Sequence, residues 1–422
     1  MIRGRGNPQK AITDNDIKEI VVSGTPEELY TDRRVLVLTP DTTRTCPLPL
    51  MVGLLQDIIG SKASCLDFMV ALGTHQPLAE ERILQLYGIS SEARQSTFAK
   101  TKFFNHRWDL DDTFRRVGYL TEEDTRELSG GRLEEKVPVD INKTIFDYDQ
   151  ILILGPVFPH EVVGYSGGAK YLFPGISGGE FLHFFHWLGA VVTCPGTIGI
   201  KHTPVREVIN RAMKLIDVPV HCISMVVKSS EELYGIYVGD YLESWENAAN
   251  LSEQIHVVFK EKPFDTVLGV CPEMYNELWT GGKVMYKLEQ VVAPGGKLII
   301  YAPHITEVSR TWGTYMDKIG YHTVDYFLSQ PEKFTDIPRG VLAHSTHVRG
   351  IGRMEGKIEK PRIEVILASS LSEEECHKIN LGYMDWREID LESYKNREDE
   401  GVLFVDHAGE VLHRVKAKTE AE

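Results

Sequence analysis

The chain is organised around residues 155–187, which read GPVFPHEVVGYSGGAKYLFPGISGGEFLHFFHW. An apolar run, Ile151–Leu154, directly precedes this stretch, and a short run of this kind is typical of a buried strand in a parallel sheet. Ligands of open α/β sheets bind outside the carboxyl ends of the strands. His160, which follows the predicted strand, is therefore a candidate functional residue.

A first turn of small residues comes next in the stretch. Ser166, Gly167 and Gly168 leave the backbone nearly bare, which lets N–H groups approach a phosphate or a planar ring closely. Lys170 follows this turn, and a desolvated lysine amine can bond covalently to a substrate carbonyl or to a cofactor. The alternative, a plain loop with a salt-bridged surface lysine, stays open on residue types alone.

A second turn of small residues, 174–179, leads into a predicted helix at Glu180–Leu188. His183 stands among phenylalanines on this helix and is predicted to pack in the core. His186, one turn later, is a candidate ligand. The convergence of a lysine and two histidines on a strand end favours a functional site over a purely structural one.

Length and composition limit the class of protein. The chain has 422 residues, of which 42% are hydrophobic and 25% charged, as in a globular protein that folds in water. A net charge of -15 disfavours nucleic acid or an acidic membrane surface as a partner. No apolar run approaches the roughly 18 residues that a membrane span needs. The six cysteines are scattered and no signal peptide is evident, so we expect reduced thiols and a cytoplasmic location.

Two α/β domains with mostly parallel sheets are predicted, with a site in the cleft between them. The chain is too long for one ordinary core, and a new strand and helix pattern begins near Glu261–Pro263, so we place the domains at 1–260 and 261–422. Thr266–Val270 and Leu298–Tyr301 are predicted strands of the second domain. Asn276 and Lys283, on the loop between them, are expected to face the first domain.

The first domain opens with an expected irregular segment, 1–24, and then a clear strand at Arg34–Thr39. The turn after this strand carries Arg44. A second predicted strand, Ser64–Leu72, ends in Gly73, Thr74, His75 and Gln76. Two strand ends are therefore expected to deliver polar loops to one edge of the sheet.

His106 lies in the segment KFFNHRWDLDD, between aromatic residues and a run of aspartates. Such a run indicates a metal site only weakly, and a solvated charged face is the favoured interpretation. No G-x-G-x-x-G follows a strand, and neither a Walker A motif nor H-E-x-x-H is present. The sequence therefore gives no support to ordinary dinucleotide, ATP or zinc-peptidase sites.

Over most of its length the chain resembles the nickel-dependent lactate racemase family. The resemblance rests on DTTR (Asp41–Arg44), GTHQP (Gly73–Pro77), the histidine of FNHRWDLDD, HEVVGYSGGAKYLFPGISG (His160–Gly178), His186, PVRE (Pro204–Glu207) and the lysine of ELWTGGK. The central run is the specific one.

The resemblance implies a cofactor, a pyridinium-3,5-bisthiocarboxylic acid mononucleotide that is joined to Lys170 and holds nickel in a pincer, the nickel-pincer nucleotide. It assigns the nickel-binding imidazole to His186. Two sulfurs, a ring carbon and this nitrogen would give four donors in a plane, which suits Ni(II). The other residues expected to bind the cofactor are Asp41, Thr43, Arg44, Ser166, Gly167, Gly168, Pro174 and Ser177.

The implied activity is that of a 2-hydroxyacid racemase or epimerase, an isomerase. His106 and His160 would act as the acid/base pair on the substrate hydroxyl, while the α-hydrogen leaves as hydride and returns on either face. Cofactor-synthesis proteins are implied as partners; the oligomeric state stays open. The alternatives are a lysine-dependent lyase or aldolase and a non-enzymatic nucleotide- or phosphate-binding protein.

One position departs from the family pattern. Many members carry arginine after the histidine of the GTH motif, where a substrate carboxylate is met, and this chain has Gln76. An amide carries no charge, so recognition of the carboxylate is expected to shift to Lys283 or Arg107, with Gln76 and Asn276 as further substrate-binding residues. We interpret this change as favouring a larger, polyhydroxylated 2-hydroxy acid over lactate.

Overall fold

The structure is a computed structural model that describes residues 2–229 and 232–416. The chain forms two compact units. The first comprises Met1–Phe158, Tyr165–Phe185 and Pro204–Ile255, and the second comprises Pro159–Gly164, His186–Thr203 and His256–Glu422. The predicted domain bounds, 1–260 and 261–422, and the cleft between the domains stay predictions.

The strands, in chain order, are β1 Arg3–Gly6, β2 Arg34–Thr39, β3 Cys65–Val70, β4 Phe103–Asn105, β5 Phe114–Leu120, β6 Val137–Asn142, β7 Gln150–Pro156, β8 Pro159–His160, β9 Gly164–Tyr165, β10 Val220–Val227, β11 Leu233–Asp240, β12 Val257–Lys260, β13 Phe264–Val270, β14 Val292–Ala302, β15 Gly352–Glu355, β16 Ile358–Pro361, β17 Glu364–Ser369, β18 Gly382–Tyr383, β19 Val402–Val405 and β20 Leu412–Val415.

The α-helices are α1 Asp14–Gly24, α2 Leu48–Ile59, α3 Glu80–Leu86, α4 Ser91–Gln95, α5 Glu122–Leu128, α6 Gly179–Val192, α7 Pro204–Met213, α8 Tyr241–His256, α9 Leu278–Gly281, α10 Lys283–Leu288, α11 Gly313–Ile319, α12 Val324–Leu328, α13 Arg339–Arg349 and α14 Glu373–Lys378. Short 3₁₀ helices lie at Glu27–Leu29, Asp111–Thr113, Lys143–Asp147, Gly168–Tyr171, Glu289–Val291, Pro331–Phe334, Trp386–Glu388, Leu391–Tyr394 and Glu398–Glu400.

A seven-stranded sheet in the order β1-β11-β10-β7-β2-β3-β4 forms the centre of the first unit. The run from β10 to β4 is parallel, and β11 and β1 add antiparallel strands at one edge. The central strands β2 and β7 are almost wholly apolar and buried, as expected for parallel strands that are covered on both faces. The carboxyl ends of β7, β2, β3 and β4 therefore point to one edge of the sheet.

The second unit contains a five-stranded, all-parallel sheet in the order β18-β17-β14-β13-β19. Leu268, Ile299 and Ile366, from its three central strands, pack together with Ala368 on one face. Two smaller pairs, β12 with β20 and β15 with β16, also lie in this unit. The prediction of an α/β fold with mostly parallel sheets is confirmed.

The expectation of an irregular start was wrong. Residues Arg3–Gly6 form strand β1, which pairs with β11, and α1 begins after Thr13. The Thr13 hydroxyl accepts from the Asp16 backbone N–H while the Asp16 carboxylate accepts from the Thr13 N–H, and this reciprocal capping starts the helix. Across residues 2–229 and 232–416, no helix combines the length and the apolar character needed to cross a lipid bilayer.

Candidate active site

In the first unit, the loops after β2 and β3 meet through a carboxylate and an imidazole. Asp41 Oδ2 lies 2.5 Å from His75 Nδ1, while Asp41 Oδ1 accepts from the Thr43 backbone N–H at 3.0 Å and from the Thr43 hydroxyl at 2.6 Å. Burial by itself raises the pKa of Asp41, but the hydrogen bonds from His75 and Thr43 and the charges of His75 and Arg44 outweigh it and hold the pKa well below its usual range. Asp41 is therefore a buried carboxylate that fixes both loops.

The turn at 174–178 is bonded to the same edge. The Gly73 N–H donates to the Gly175 carbonyl at 2.8 Å, and the Asn142 N–H donates to the Ile176 carbonyl at 3.0 Å. Ser177 is buried and forms a bridge with Ile141 of β6. The second small-residue turn, with Pro174 and Ser177, thus lies beside the GTHQ loop that carries Gln76.

His106 is fully buried directly after β4. Its Nδ1 lies 3.1 Å from the amide nitrogen of Asn142, whose amide oxygen is occupied because it accepts from the Thr144 N–H at 3.1 Å. The Asn142 amide therefore donates to Nδ1, and the neutral ring carries its proton on Nε2. Nε2 is buried and makes no close hydrogen bond among the described residues, although the backbone of Ser177 interacts with the ring and by itself raises its pKa. Burial lowers the pKa of His106 to about 4, so the imidazole is neutral at pH 7.

Two buried side chains donate hydrogen bonds to the backbone of the first glycine-rich turn, residues 165–168. Arg206 of α7 donates to the carbonyls of Tyr165 and Gly167, and the indole N–H of Trp245 in α8 donates to the carbonyl of Ser166 at 2.8 Å. The Arg206 guanidinium also lies 4.1 Å from the Trp245 ring centroid, and burial lowers its pKa to about 9. Three successive carbonyls ahead of Lys170 are fixed in this way.

Glycine is required in this turn by backbone conformation. Gly167 and Gly168 have φ values of 78° and 59°, and a Cβ atom on Gly167 would lie 2.7 Å from Val157. Lys170 follows in the 3₁₀ helix Gly168–Tyr171, is half-buried, and donates its backbone N–H to the Gly167 carbonyl at 3.3 Å. The conformation of the turn therefore sets the direction in which the Lys170 side chain leaves the backbone.

In the second unit, His160 sits in strand β8 with an acidic neighbour. Its Nδ1 lies 3.4 Å from Glu161 Oε2 and accepts from the Val162 backbone N–H at 3.2 Å. Lys287 of α10 is buried and donates to the carbonyl of Pro159 at 2.7 Å. The histidine is thus anchored by its own loop and by a buried cation next to it.

His186 lies on α6 in the same unit and is half-buried. One turn further along, Gly189 packs against the loop that carries His160, because a Cβ atom on Gly189 would lie 2.7 Å from Val162 Cγ1. Helix α6 and the His160 loop are therefore in van der Waals contact. Within the described part of the chain, no three His, Cys, Asp or Glu side chains come together as ligands for a metal ion.

The two remaining candidates lie in the loop after β13. Asn276 is exposed, and Lys283, the first residue of α10, lies with its ammonium 4.6 Å from the ring centroid of Tyr275.

The aspartates near His106 behave as a solvated face, as predicted. Arg107 binds Asp109 through two hydrogen bonds of 2.8 Å and 2.7 Å, and Lys143 binds Asp112 at 2.6 Å.

The structure therefore gathers most of the candidates within one unit and the rest within the other. The first unit holds Asp41, Thr43, Arg44, Gln76, His106, Ser166, Gly167, Gly168, Lys170, Pro174 and Ser177, and the second holds His160, His186, Asn276 and Lys283. Sequence reasoning missed the side chains that support them, namely Asn142, Glu161, Arg206, Trp245 and Lys287. PVRE was noticed as a motif, yet nothing in it signalled a buried Arg206.

Fold and site together define an α/β protein with histidines and a lysine on loops at the ends of parallel strands. Residues 6–195 match the family model described as the lactate racemase N-terminal domain. Over this N-terminal segment the chain is therefore similar to the lactate racemase family.

Two curated proteins named lactate racemase are similar to the chain. The one from Thermoanaerobacterium thermosaccharolyticum is 23% identical over 276 residues, which are 64% of this chain and 60% of the relative. The one from Lactiplantibacillus plantarum is 21% identical over 210 residues, 49% of this chain and 45% of the relative. The chain thus spans less than two thirds of the length of the curated relatives it matches.

Two solved structures are similar over nearly the whole chain. A crystal structure of a protein from Thermotoga maritima has a TM-score of 0.85 at 32% identity and covers 98% of this chain and 100% of its own. The lactate racemase apoprotein from Thermoanaerobacterium thermosaccharolyticum has a TM-score of 0.74 at 16% identity, with 97% and 94% covered. The second likeness concerns the fold.

Proposed function

We propose that the protein is a racemase or epimerase that inverts the α-carbon of a 2-hydroxy acid. The observation that carries this proposal is the buried, neutral imidazole of His106, whose Nε2 makes no close hydrogen bond among the described residues. It stands at the carboxyl edge of the sheet, inside the segment that matches the lactate racemase N-terminal domain. A buried donor without a close acceptor costs free energy, so an oxygen of a bound ligand is a natural acceptor.

The side chains fit a lysine-tethered nickel-pincer nucleotide. Lys170 offers a half-buried amine on a turn that Arg206 and Trp245 hold in place, and His186 offers an imidazole nitrogen of the kind that Ni(II) accepts. The residues that would bind the mononucleotide are Asp41, Thr43, Arg44, Ser166, Gly167, Gly168, Pro174 and Ser177. When bound, the group supplies reversible acceptance of the α-hydrogen together with its bonding electrons.

The protein's own part in the reaction is proton transfer and orientation. His106 would present Nε2 to the substrate hydroxyl, and His160 would serve the opposite enantiomer in the same way. Each histidine must act as a base in one direction of inversion and as an acid in the other. In the tautomer described, His106 Nε2 carries the ring proton and can donate to a substrate oxygen; it acts as a base only in the tautomer in which Nε2 is unprotonated.

We propose a polyhydroxylated 2-hydroxy acid as the substrate class. Gln76 is exposed at the GTHQ loop, where an amide can hydrogen-bond hydroxyl groups but supplies no charge for a carboxylate. Asn276 offers a second amide and Lys283 offers the cation for the carboxylate. The partners that follow from the cofactor are the proteins that synthesise it, and the six free thiols support action in a reducing compartment such as the cytoplasm.

The test is a panel of enantiopure 2-hydroxy acids, with lactate and sugar-derived acids included, incubated with the nickel-loaded protein in heavy water. Chiral chromatography should show inversion of at least one acid, and mass spectrometry should show no deuterium at the α-carbon because the hydrogen returns with its electrons. Inversion with full deuterium uptake would indicate proton abstraction instead. Absence of inversion across the panel would refute the proposed activity.

A further inference from the structure

A hydrogen-bond donor and a hydrogen-bond acceptor both lie next to His160 Nδ1. The Val162 backbone N–H, which can only donate, lies 3.2 Å from Nδ1. Glu161 Oε2, which only accepts when the carboxyl is ionised, lies 3.4 Å from the same atom. An unprotonated Nδ1 can therefore accept from the Val162 N–H, and a protonated Nδ1 can donate to the Glu161 carboxylate.

These two neighbours correspond to two neutral tautomers. When Nδ1 accepts from Val162, the ring proton sits on Nε2, and the ring can donate a hydrogen bond there but cannot take up a proton. When Nδ1 carries the proton and faces Glu161, Nε2 is unprotonated and can accept the proton of a substrate hydroxyl; the imidazolium that results can return this proton as an acid. His106 differs, because the Asn142 amide donates to its Nδ1 and fixes the proton on Nε2.

Glu161 is held in the ionised form that this exchange needs. Its side chain is 23% exposed, and burial by itself would raise its pKa, but the positive charge that His160 carries when protonated, a backbone hydrogen bond of Glu161 and the charge of Lys287 outweigh burial and keep the pKa well below its usual range. Lys287 is buried and donates to the carbonyl of Pro159 at 2.7 Å.

Other titratable groups face Glu161 from the helices of the same unit. His344 and His347 of α13 are neutral at pH 7, because burial lowers their pKa values to about 3 and about 4. Burial also keeps Tyr286 of α10 and Cys194 protonated, since it raises their pKa values well above the usual range. Glu161 therefore supplies the negative charge next to His160.

We propose that Glu161 is a positioning residue that makes the Nδ1–H tautomer of His160 available, so that Nε2 can accept the proton of a substrate hydroxyl and, as an imidazolium beside the Glu161 carboxylate, return it. This inference rests on the proposed racemase function for its purpose, but the geometry at Nδ1 is independent of it. The backbone N–H of Val162 stabilises one tautomer and the carboxylate of Glu161 stabilises the other.

The test is performed on the full-length protein without cofactor, with ¹⁵N-labelled histidine. The nitrogen shifts of His160, assigned by their loss in His160→Asn, report directly on the tautomer. In the wild type we expect intermediate shifts that indicate exchange between both tautomers. In Glu161→Gln we expect the Nε2–H tautomer alone and a pKa of His160 lowered by about one unit, because a neighbouring negative charge is lost.

Glu289→Gln is the matched control. Glu289 is fully buried in the same unit, burial raises its pKa, and its Oε1 accepts from the Ile351 backbone N–H at 2.8 Å. Its replacement by an amide should leave the His160 signals in place. If Glu161→Gln does not fold, Glu161→Asp withdraws the carboxylate and should shift the signals in the same direction by a smaller amount.

Unchanged His160 shifts and pKa in the folded Glu161 variants would overturn this inference, whatever the activity of the loaded enzyme. The expected shifts together with no inversion of any acid by the loaded wild type would instead refute the racemase proposal and leave the tautomer exchange intact. In an active enzyme, Glu161→Gln should lower kcat and shift the pH dependence of kcat, while KM stays near its wild-type value.

Discussion

The Nδ1 atom of His75 lies 2.5 Å from Oδ2 of Asp41, although 34 residues separate them in the chain. This contact joins the loops after two neighbouring parallel strands, β2 and β3, at the edge where His106 also lies. The Asp41 carboxylate is buried while the His75 imidazole is 56% exposed, so the contact lies at the surface of the loops. The edge of the sheet is thereby fixed before any ligand binds.

Asp41→Asn should destabilise the protein by about 2 kcal/mol, because it removes the charge that strengthens the hydrogen bonds from His75 and Thr43. Thermal unfolding at pH 7 measures the change. Since the pKa of Asp41 is lowered in the folded state, its contribution is present above pH 3.8 and is lost as the pH falls below that value. Thr43→Val, which removes one hydroxyl, is the control and should cost about 1 kcal/mol. Equal stability of Asp41→Asn and the wild type would contradict this role.

His106 should make stability depend on pH in a defined window. Its pKa falls from 6.5 to about 4 on folding, so between these values the unfolded chain binds a proton that the folded chain does not. Stability therefore falls as the pH is lowered from 6.5 to 4, by about 3 kcal/mol from this residue. Unfolding midpoints at several pH values should show a shallower slope for His106→Asn. An unchanged slope would mean that His106 is protonated in the folded protein.

Arg206→Met should loosen the turn ahead of Lys170. The substitution leaves the carbonyls of Tyr165 and Gly167 buried without this donor, which costs about 3 kcal/mol. Arg211→Met, on the same helix, removes ion pairs to Asp124 and Glu127 and should cost about 1 kcal/mol or less. Hydrogen exchange of the turn measures the local effect. Protection of the turn that is equal in both variants would argue against bracing by Arg206.

His186→Ala should abolish nickel binding while the protein stays folded, since a half-buried ligand contributes little to the core. Elemental analysis and the unfolding midpoint of protein made with the cofactor-synthesis proteins measure both effects. His183→Ala, one helical turn earlier, is the control and should retain the metal. Nickel content at the wild-type level in His186→Ala would exclude His186 as the ligand.

Short, unbroken apolar runs predicted the strands that position the site, because parallel strands covered on both faces must be apolar throughout. Arg34–Thr39 was predicted with its observed bounds, and Ile151–Leu154 lies inside β7. Strand β1 could not be predicted in this way, because its four residues are exposed and owe their structure to pairing with β11. The capping pair Thr13 and Asp16 precedes α1 in the sequence, but the expectation of an irregular segment overlooked it.

The supporting side chains of the site were hidden for a different reason. An arginine in an amphipathic helix is expected on the solvent side, and Arg206 is buried because distant carbonyls accept its hydrogen bonds. Likewise, the sequence placed His106 among aromatic residues, but its tautomer depends on Asn142, which reaches it from another strand. Such contacts depend on tertiary structure, which local patterns do not encode.

The central claim, that Lys170 carries the cofactor, is tested most directly by intact-mass spectrometry of protein produced together with the cofactor-synthesis proteins. We expect the wild type to show a mass increase equal to the tethered mononucleotide, mapped by peptide analysis to Lys170. Lys170→Ala should show the mass of its chain alone, while Lys201→Ala should keep the adduct. An unmodified wild-type mass, or an adduct that persists in Lys170→Ala, would contradict the account.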